Sequence, residues 1–236
     1  TQGAGYTTLA TVIGGHLIDP ARRRCNYTPR PGHTEVYDAI LFNLDLIYKY
    51  KVSPPPSIQI EEYAFVTGKT SMIIEGAWEI RNYNRCKNLW DIAKVPTDIK
   101  GRKRVTGGGG VAHCVYSGTK NPEAAWRLVK FLSSDKSQRA LGRSGTSIPV
   151  LKSAAYSEDF LADFDRPPKS SYRVIYETLE GARFEPQYTR GYLEYMKLSR
   201  QIMGEVFLGV KTAEDGCREI DEKVNKVMAE EYGETP

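Results

Sequence analysis

Strand-like and helical segments alternate along the first two thirds of this 236-residue chain, and helical segments fill the last third. Apolar residues recur at helical spacing from residue 34 to 52. Pro54, Pro55 and Pro56 end that helix, because proline cannot continue a helix. Such alternation is typical of layered folds in which helices cover a sheet. The sequence therefore predicts the α/β fold class.

Local signals set the limits of the remaining elements. Asn121 and Pro122 form a strong helix start, with Asn at the N-cap and Pro at the first helical position. Thr212 is predicted to cap the last helix, with Asp215 in the capping-box position. Strands are predicted at 71–78, 90–95 and 111–117, and helices at 34–52, 58–66, 121–133, 135–142, 153–164, 170–182, 190–208 and 212–231.

Composition excludes several classes of protein. The net charge of +4 is small beside 33 basic and 29 acidic residues. No clustered basic face is evident, so a nucleic-acid partner is not expected. No apolar stretch approaches the roughly 20 residues that a membrane span needs. The four cysteines form no CxxC pair, which argues against a metal site. Cys86 and Cys114 are as much expected to form a disulfide with each other as to remain unpaired thiols.

The sequence contains neither a complete phosphate-binding loop nor a dinucleotide-binding turn. Gly68-Lys69-Thr70 resembles the end of a phosphate-binding loop, but the glycine required five positions before its Gly-Lys pair is replaced by Tyr63. The glycines 107–110 precede a predicted strand, which excludes a dinucleotide-binding turn. They indicate either a flexible linker or a close approach of backbone to a ligand or to another segment of the chain. We therefore predict no cofactor, no metal and no catalytic residue.

Aromatic residues give a positive signal. Tyr6, Trp78, Tyr188 and Tyr192 fall in or beside predicted loops and turns, where burial is not required. Aromatic rings stack on the apolar faces of sugars, while polar groups nearby bind the hydroxyls. For any one of these rings taken alone, packing in a core or an interface is the favoured interpretation.

Residues 65–78 read FVTGKTSMIIEGAW and resemble the F-x-x-G-K-x-A-M-x-x-x-G-x-W segment of the extracellular solute-binding proteins that feed sugar ABC transporters. Ser71 stands where that family usually has Ala, and Gly216 where Ala is common, which is expected to weaken the last helix slightly. Five further stretches resemble family segments in the same order: 6–19, 35–54, 108–126, 147–150 and 209–215.

The resemblance implies a periplasmic-binding-protein-like (type II) fold, mainly its C-terminal lobe, with the first lobe largely missing. We expect a C-terminal fragment in which 1–98 belong to the second lobe, 99–150 cross to the first lobe, and 151–236 return as helices. The crossing segment then lacks its partner and is expected to be exposed, disordered or rearranged. A homodimer through this orphaned segment is one way to bury it.

The resemblance also implies a function: binding of a sugar or oligosaccharide outside the cytoplasm, in the periplasm or as a lipoprotein. Closure of two lobes then delivers the solute to the membrane permease of an ABC importer. Trp78 is expected to project from the edge of a sheet toward an open groove. The alternative is a carbohydrate-active enzyme or an accessory carbohydrate-binding domain. The predicted ligand-binding residues are Trp78, Tyr6, Gly76, Gly108, Gly109, Arg183, Tyr188 and Tyr192.

Overall fold

The computed structural model describes residues 10, 15–19, 24–56, 64–95, 106–165, 167–180, 182–184 and 189–233. The chain divides into two compact units of interleaved segments. Unit 1 comprises Thr1–Glu62, Val95–Gly109 and Thr178–Pro236, and unit 2 comprises Tyr63–Lys94 and Gly110–Glu177. The chain thus leaves unit 1 and returns to it twice. The assignment of segments to two family lobes stays a prediction.

Unit 1 is built on its C-terminal helices. Its elements are β1 (Ile18–Asp19), β2 (Arg24–Cys25), α1 (Glu35–Leu44), a π-helical turn (Asp45–Lys49), β3 (Thr106–Gly108), β4 (Ala182–Phe184), α7 (Tyr192–Phe207) and α8 (Ala213–Tyr232).

Unit 2 consists of short helices and irregular chain in its described part. Its elements are a 3₁₀ turn (Ala77–Glu79), α2 (Ile80–Tyr83), α3 (Pro122–Leu132), α4 (Asp135–Arg143), α5 (Lys152–Ala155), a second 3₁₀ turn (Lys169–Ser171) and α6 (Tyr172–Glu180), whose last residues belong to unit 1.

Two small sheets are present among the described residues, both in unit 1. In the first, β1 and β2 are antiparallel, with Ile18 opposite Cys25. In the second, β3 and β4 are parallel, with Thr106 opposite Ala182 and Gly108 opposite Phe184. A parallel pair requires a long crossover, and here the crossover is the whole of 109–181.

The predicted strands at 71–78, 90–95 and 111–117 are wrong. Residues 71–76 and 111–116 run without a strand partner in the described part of the chain, and 77–79 form a 3₁₀ turn. Their apolar side chains are exposed, with Met72 87% and Val111 92% accessible. A strand is stable only when its backbone pairs with a neighbour, so strand-like composition alone does not create one here.

The helix predictions are mostly confirmed. The predictions at 121–133, 135–142, 190–208 and 212–231 correspond to α3, α4, α7 and α8, within two residues at each end. The helix predicted at 153–164 is wrong, because only Lys152–Ala155 is helical and Leu161 has a φ of 54°. The predicted helix at 34–52 changes to a π-helical turn after Leu44. Residues 58–63 of the helix predicted at 58–66 lie outside the described residues, and 64–66 form a turn.

The core of unit 1 depends on close packing between α7 and α8. Ile220, Val224 and Met228 on α8 are buried with Ile202 and Val206 on α7. Gly216 lies at this interface, where a Cβ atom would stand 2.3 Å from Cγ2 of Val206. The absence of a side chain at this position therefore lets the helices approach.

Helix α8 also anchors the chain that follows β2. The Asp221 carboxylate accepts the backbone N–H groups of Tyr27 at 2.9 Å and Thr28 at 2.8 Å. One turn later, Asn225 Oδ1 accepts the N–H of Cys25 at 2.7 Å. These side chains satisfy the backbone donor of the last residue of β2 and those of two residues that follow the strand, as buried backbone groups require.

Unit 2 has its own apolar core. Phe160, Leu161 and Ile175 are buried together with Ile80 and Trp90. A chain of rings continues this core, because Tyr83 contacts Phe65 and Trp90 edge-on, with centroids 5.1 and 6.0 Å apart. The core supports the irregular segment 64–79 on one side.

None of the four cysteines forms a disulfide, and all four lie in the described part of the chain. Burial, and then the negative charge of Asp221, raise the pKa of Cys217 to about 12 and that of Cys25 well above its ordinary value. Both thiols are therefore protonated and shielded at neutral pH, whereas Cys114 is exposed.

No helix in the described part of the chain is long and apolar enough to span a membrane.

We predict that replacing Gly216 with Ala destabilises the protein. Alanine gains about 1 kcal/mol of helix propensity, but its Cβ overlaps Val206, and such overpacking costs about 1–3 kcal/mol. The matched control is Gly204→Ala on α7, where a Cβ would meet nothing within 4 Å. Urea unfolding followed by circular dichroism should show a lower midpoint for G216A and an unchanged or higher one for G204A. A more stable G216A variant would contradict the packing described.

We also predict selective thiol chemistry. An aromatic disulfide reagent at pH 8 should label Cys114 rapidly and Cys25 and Cys217 only after unfolding, as peptide mass mapping can show. Since the unfolded thiols ionise near pH 9 while Cys217 in the folded chain holds its proton to about pH 12, the free energy of unfolding should fall as pH rises through this window. Rapid labelling of Cys217 in the native chain would contradict its burial.

Candidate functional site

Trp78 lies in the 3₁₀ turn Ala77–Glu79, which follows an extended residue, Gly76. The turn closes through the N–H of Glu79, which donates to the carbonyl of Gly76 at 3.0 Å. The N–H of Gly76 in turn donates to Glu75 Oε1 at 3.0 Å. Neighbouring residues in sequence thus fix the backbone that carries the indole.

The Trp78 ring lies on Gly76. A Cβ atom built on Gly76 would stand 2.2 Å from Cη2 and 2.3 Å from both Cζ2 and Cζ3 of the ring. These three ring atoms are consecutive, and nearly equal distances to all of them place the point over the ring face and not beyond its edge. One face of the six-membered ring therefore packs on the Gly76 backbone, while the side chain as a whole remains 58% exposed.

The expected position of Trp78 on a sheet edge is wrong in one respect. No strand precedes the residue in the described part of unit 2, and a 3₁₀ turn carries it instead. The ring is nevertheless accessible, as expected for a stacking platform. The turn is sufficient because the contact with Gly76 orients the ring without a sheet.

Polar side chains lie within five residues of Trp78 along the sequence, and they were not among the predicted site residues. Asn82 Nδ2 donates to Glu79 Oε2 at 2.8 Å. Burial, followed by the charges of Glu75 and Glu79, raises the pKa of Tyr83. The phenol therefore stays neutral at physiological pH. Glu75 and Glu79 flank Trp78 at i−3 and i+1, and this spacing around the Gly-x-Trp sequence is the signal that could have identified them.

Gly108 and Gly109 lie in unit 1 at the end of β3. Gly107 pairs with Arg183 and Gly108 with Phe184 in the parallel ladder. A Cβ at Gly109 would meet nothing within 4 Å, so its backbone is open on that side. The side chain of Arg183 lies outside the described part of the structure, and its backbone pairs in β4.

Tyr192 begins α7 and packs toward the core of unit 1. Its ring centroid lies 5.6 Å from that of Tyr195, whose hydroxyl is 3.1 Å from the Tyr27 hydroxyl. This environment is a packing contact with one side partly open. Tyr6 and Tyr188 lie outside the described residues.

The structure thus brings Trp78 and Gly76 into contact in unit 2 and places Gly108, Gly109 and Tyr192 in unit 1. The described residues contain no group of three or more His, Cys, Asp or Glu side chains arranged to hold a metal ion. An exposed aromatic face on a segment that also carries carboxylate and amide side chains suits recognition of an uncharged polar ligand with an apolar face.

The fold is that of the periplasmic-binding-protein class. The family model of the bacterial extracellular solute-binding proteins matches residues 33–168. This match covers more than half of the chain and includes Trp78. The chain belongs to the family of bacterial extracellular solute-binding proteins.

Curated relatives match over part of their length. The galactooligosaccharide-binding protein of Bacillus subtilis is 25% identical over 114 residues, which is 48% of this chain and 27% of that protein. The maltotriose-binding protein of Pyrococcus abyssi is 26% identical over 151 residues, 61% of this chain and 32% of that protein. The matched region thus spans about a quarter to a third of these relatives.

Solved structures match almost all of this chain. A solute-binding protein of an ABC transporter from Thermotoga lettingae, bound with alpha-D-tagatose, matches with a TM-score of 0.78 at 24% identity. The match covers 97% of this chain and 57% of that protein. The maltose-maltodextrin binding protein of Alicyclobacillus acidocaldarius has a TM-score of 0.73 at 21% identity, with coverage of 95% and 60%. The expected type II fold is confirmed, and this chain spans over half of it.

We predict that Trp78→Ala leaves stability nearly unchanged, by less than about 1 kcal/mol, because the exposed ring buries little surface. The matched control is Trp90→Ala, since Trp90 is only 9% exposed and its loss should cost about 3–5 kcal/mol. Thermal unfolding measured by calorimetry compares the two. A cost for W78A as large as that for W90A would show that Trp78 is a core residue and not a platform.

Proposed function

We propose that this chain is part of a binding protein that captures a sugar or oligosaccharide outside the cytoplasm and delivers it to an ABC importer, without a catalytic step. The observation that carries the proposal is the exposed, oriented ring of Trp78 within the family's Gly-x-Trp sequence. A ring of this kind offers an apolar face, while Glu75, Glu79 and Asn82 offer groups that bind hydroxyls.

The relatives support a carbohydrate as ligand. Two of the curated proteins are named for galactooligosaccharide and maltotriose, and a solved structure of the same fold holds tagatose. The shared property of these molecules is a neutral ring that has one less polar face and many hydroxyls. We propose that Trp78 binds a ligand of this class and that Gly108 and Gly109 contact it through their backbone. Further candidate ligand contacts are Tyr6, Tyr188, Tyr192 and Arg183.

We propose also that residues 99–150 complete a first lobe in the whole protein. Helix α3 supports this assignment, because it has apolar residues over more than half of its circumference and none of them is buried. Trp126, Leu128 and Phe131 are each more than half exposed. A helix that is apolar over so wide an arc is normally enclosed by its neighbours.

Residues 111–118, just before α3, are exposed throughout and include Val111 and Tyr116. We propose that another lobe covers this segment and α3. Self-association of the 236-residue chain through the same surface is the competing outcome, and analytical ultracentrifugation distinguishes it as a concentration-dependent dimer.

In this proposal the two lobes close around the solute by a hinge motion, and the closed form presents a surface to the permease. The location is the periplasm or, for a lipoprotein, the outer face of the membrane. A single ring with a few hydrogen bonds gives little net affinity, because capture of the ligand costs translational and rotational entropy. High affinity therefore requires contacts from both lobes.

We predict that the 236-residue chain alone binds sugars weakly. Calorimetric titration with maltotriose, galactooligosaccharide and tagatose should show no micromolar binding. At millimolar maltotriose, NMR spectra should show a shift of the indole N–H resonance of Trp78, with the buried Trp90 as internal control. Micromolar binding that survives W78A would place the site elsewhere, and the absence of any Trp78 shift with all three sugars would contradict a carbohydrate site.

A further inference from the structure

We propose that Gly76 is a positioning residue, which holds the Trp78 indole so that one defined face is turned to the ligand. The inference rests on the proposed function, since it assigns a role within the same site. It differs from the sequence prediction, in which Gly76 itself contacts the ligand.

The requirement for glycine at position 76 does not come from the backbone conformation. Gly76 has φ −78° and ψ 155°, an extended conformation that any residue adopts. Its polar groups are also committed, because its N–H donates to Glu75 Oε1 and its carbonyl accepts the N–H of Glu79, both at 3.0 Å. A ligand therefore has no free Gly76 donor to bind.

What glycine provides is space for the ring. A Cβ at this position would stand within 2.2–2.3 Å of three ring atoms, Cη2, Cζ2 and Cζ3 of Trp78. These distances are far below van der Waals contact, so any other residue must displace the indole. Because the Cβ position lies over the ring face, the Gly76 Cα–H bond that replaces it points into that face.

This contact has a consequence for the ligand. Gly76 covers one face of the six-membered ring, so a saccharide can stack only on the opposite face. The ring therefore serves as a one-sided platform for a single sugar residue and does not insert between two. Its orientation is set before binding, and less side-chain freedom is lost on capture.

The structural part of the inference is tested by NMR without a ligand. The Gly76 Hα that points into the ring should resonate upfield of ordinary glycine values and return to them in Trp78→Ala. In Gly76→Ala the indole N–H resonance of Trp78 should shift and quenching of its fluorescence by acrylamide should change. The matched control is Gly110→Ala, where a Cβ meets nothing within 4 Å, and it should leave Trp78 unchanged.

An ordinary Gly76 Hα shift, or an unaltered Trp78 resonance in G76A, would overturn the inference. Thermal unfolding of G76A should match the wild type, because the backbone accepts alanine. Titration with maltotriose then separates the two hypotheses. If the wild-type Trp78 resonance responds, G76A should bind about tenfold more weakly, and equal binding by both would overturn the positioning role. If the wild type does not respond although the Hα is shifted upfield, the sugar site is contradicted and the ring contact stands.

Discussion

Close approach of α7 and α8 at Gly216 is the contact on which unit 1 depends. It allows Val206 and Ile202 to fill the space that a side chain at 216 would occupy. Helix α8 is thereby placed so that Asp221 and Asn225 accept backbone donors of residues 25–28. Gly216 thus lowers the local helix propensity but permits the tertiary packing of the two helices. The packing contributes more than the lost propensity, because most helix stability in proteins comes from packing.

The two units differ in how completely they bury their apolar residues. In unit 1, α8 has a continuous buried face, whereas in unit 2 α3 has no buried residue and the segment before it is exposed. Matched structures of the same fold extend well beyond the region that this chain covers. The exposed apolar face of α3 and the strand-like segments at 71–76 and 111–116 are consistent with one cause. The sequence has apolar residues at positions where the described residues supply no neighbours to pack against them.

Prediction from the sequence succeeded where the signal is local. Asn121-Pro122 begins α3, and Thr212 caps α8 by accepting the N–H of Asp215 at 3.1 Å. It failed at 71–78 and 111–117, because a strand is decided by a partner far away in the sequence. The role expected of Gly216, a slight weakening of the helix, missed the contact with Val206 for the same reason. The sequence motif identified Trp78 as a candidate site residue, but only the structure shows that its ring lies on Gly76.

The candidate site is unusual in being local. The ring, its glycine, and the carboxylates at 75 and 79 all lie within five consecutive residues, and Ala77 in the middle of this segment packs on the core that contains Trp90. Such a site is set by short-range geometry and does not need a second lobe in order to form. Affinity is different, since it depends on how many contacts surround the sugar once it is held. The platform is formed by one segment, whereas the affinity is proposed to come from closure of two lobes. In that proposal the two are separable properties, because the first is encoded by a few residues and the second by the whole binding protein.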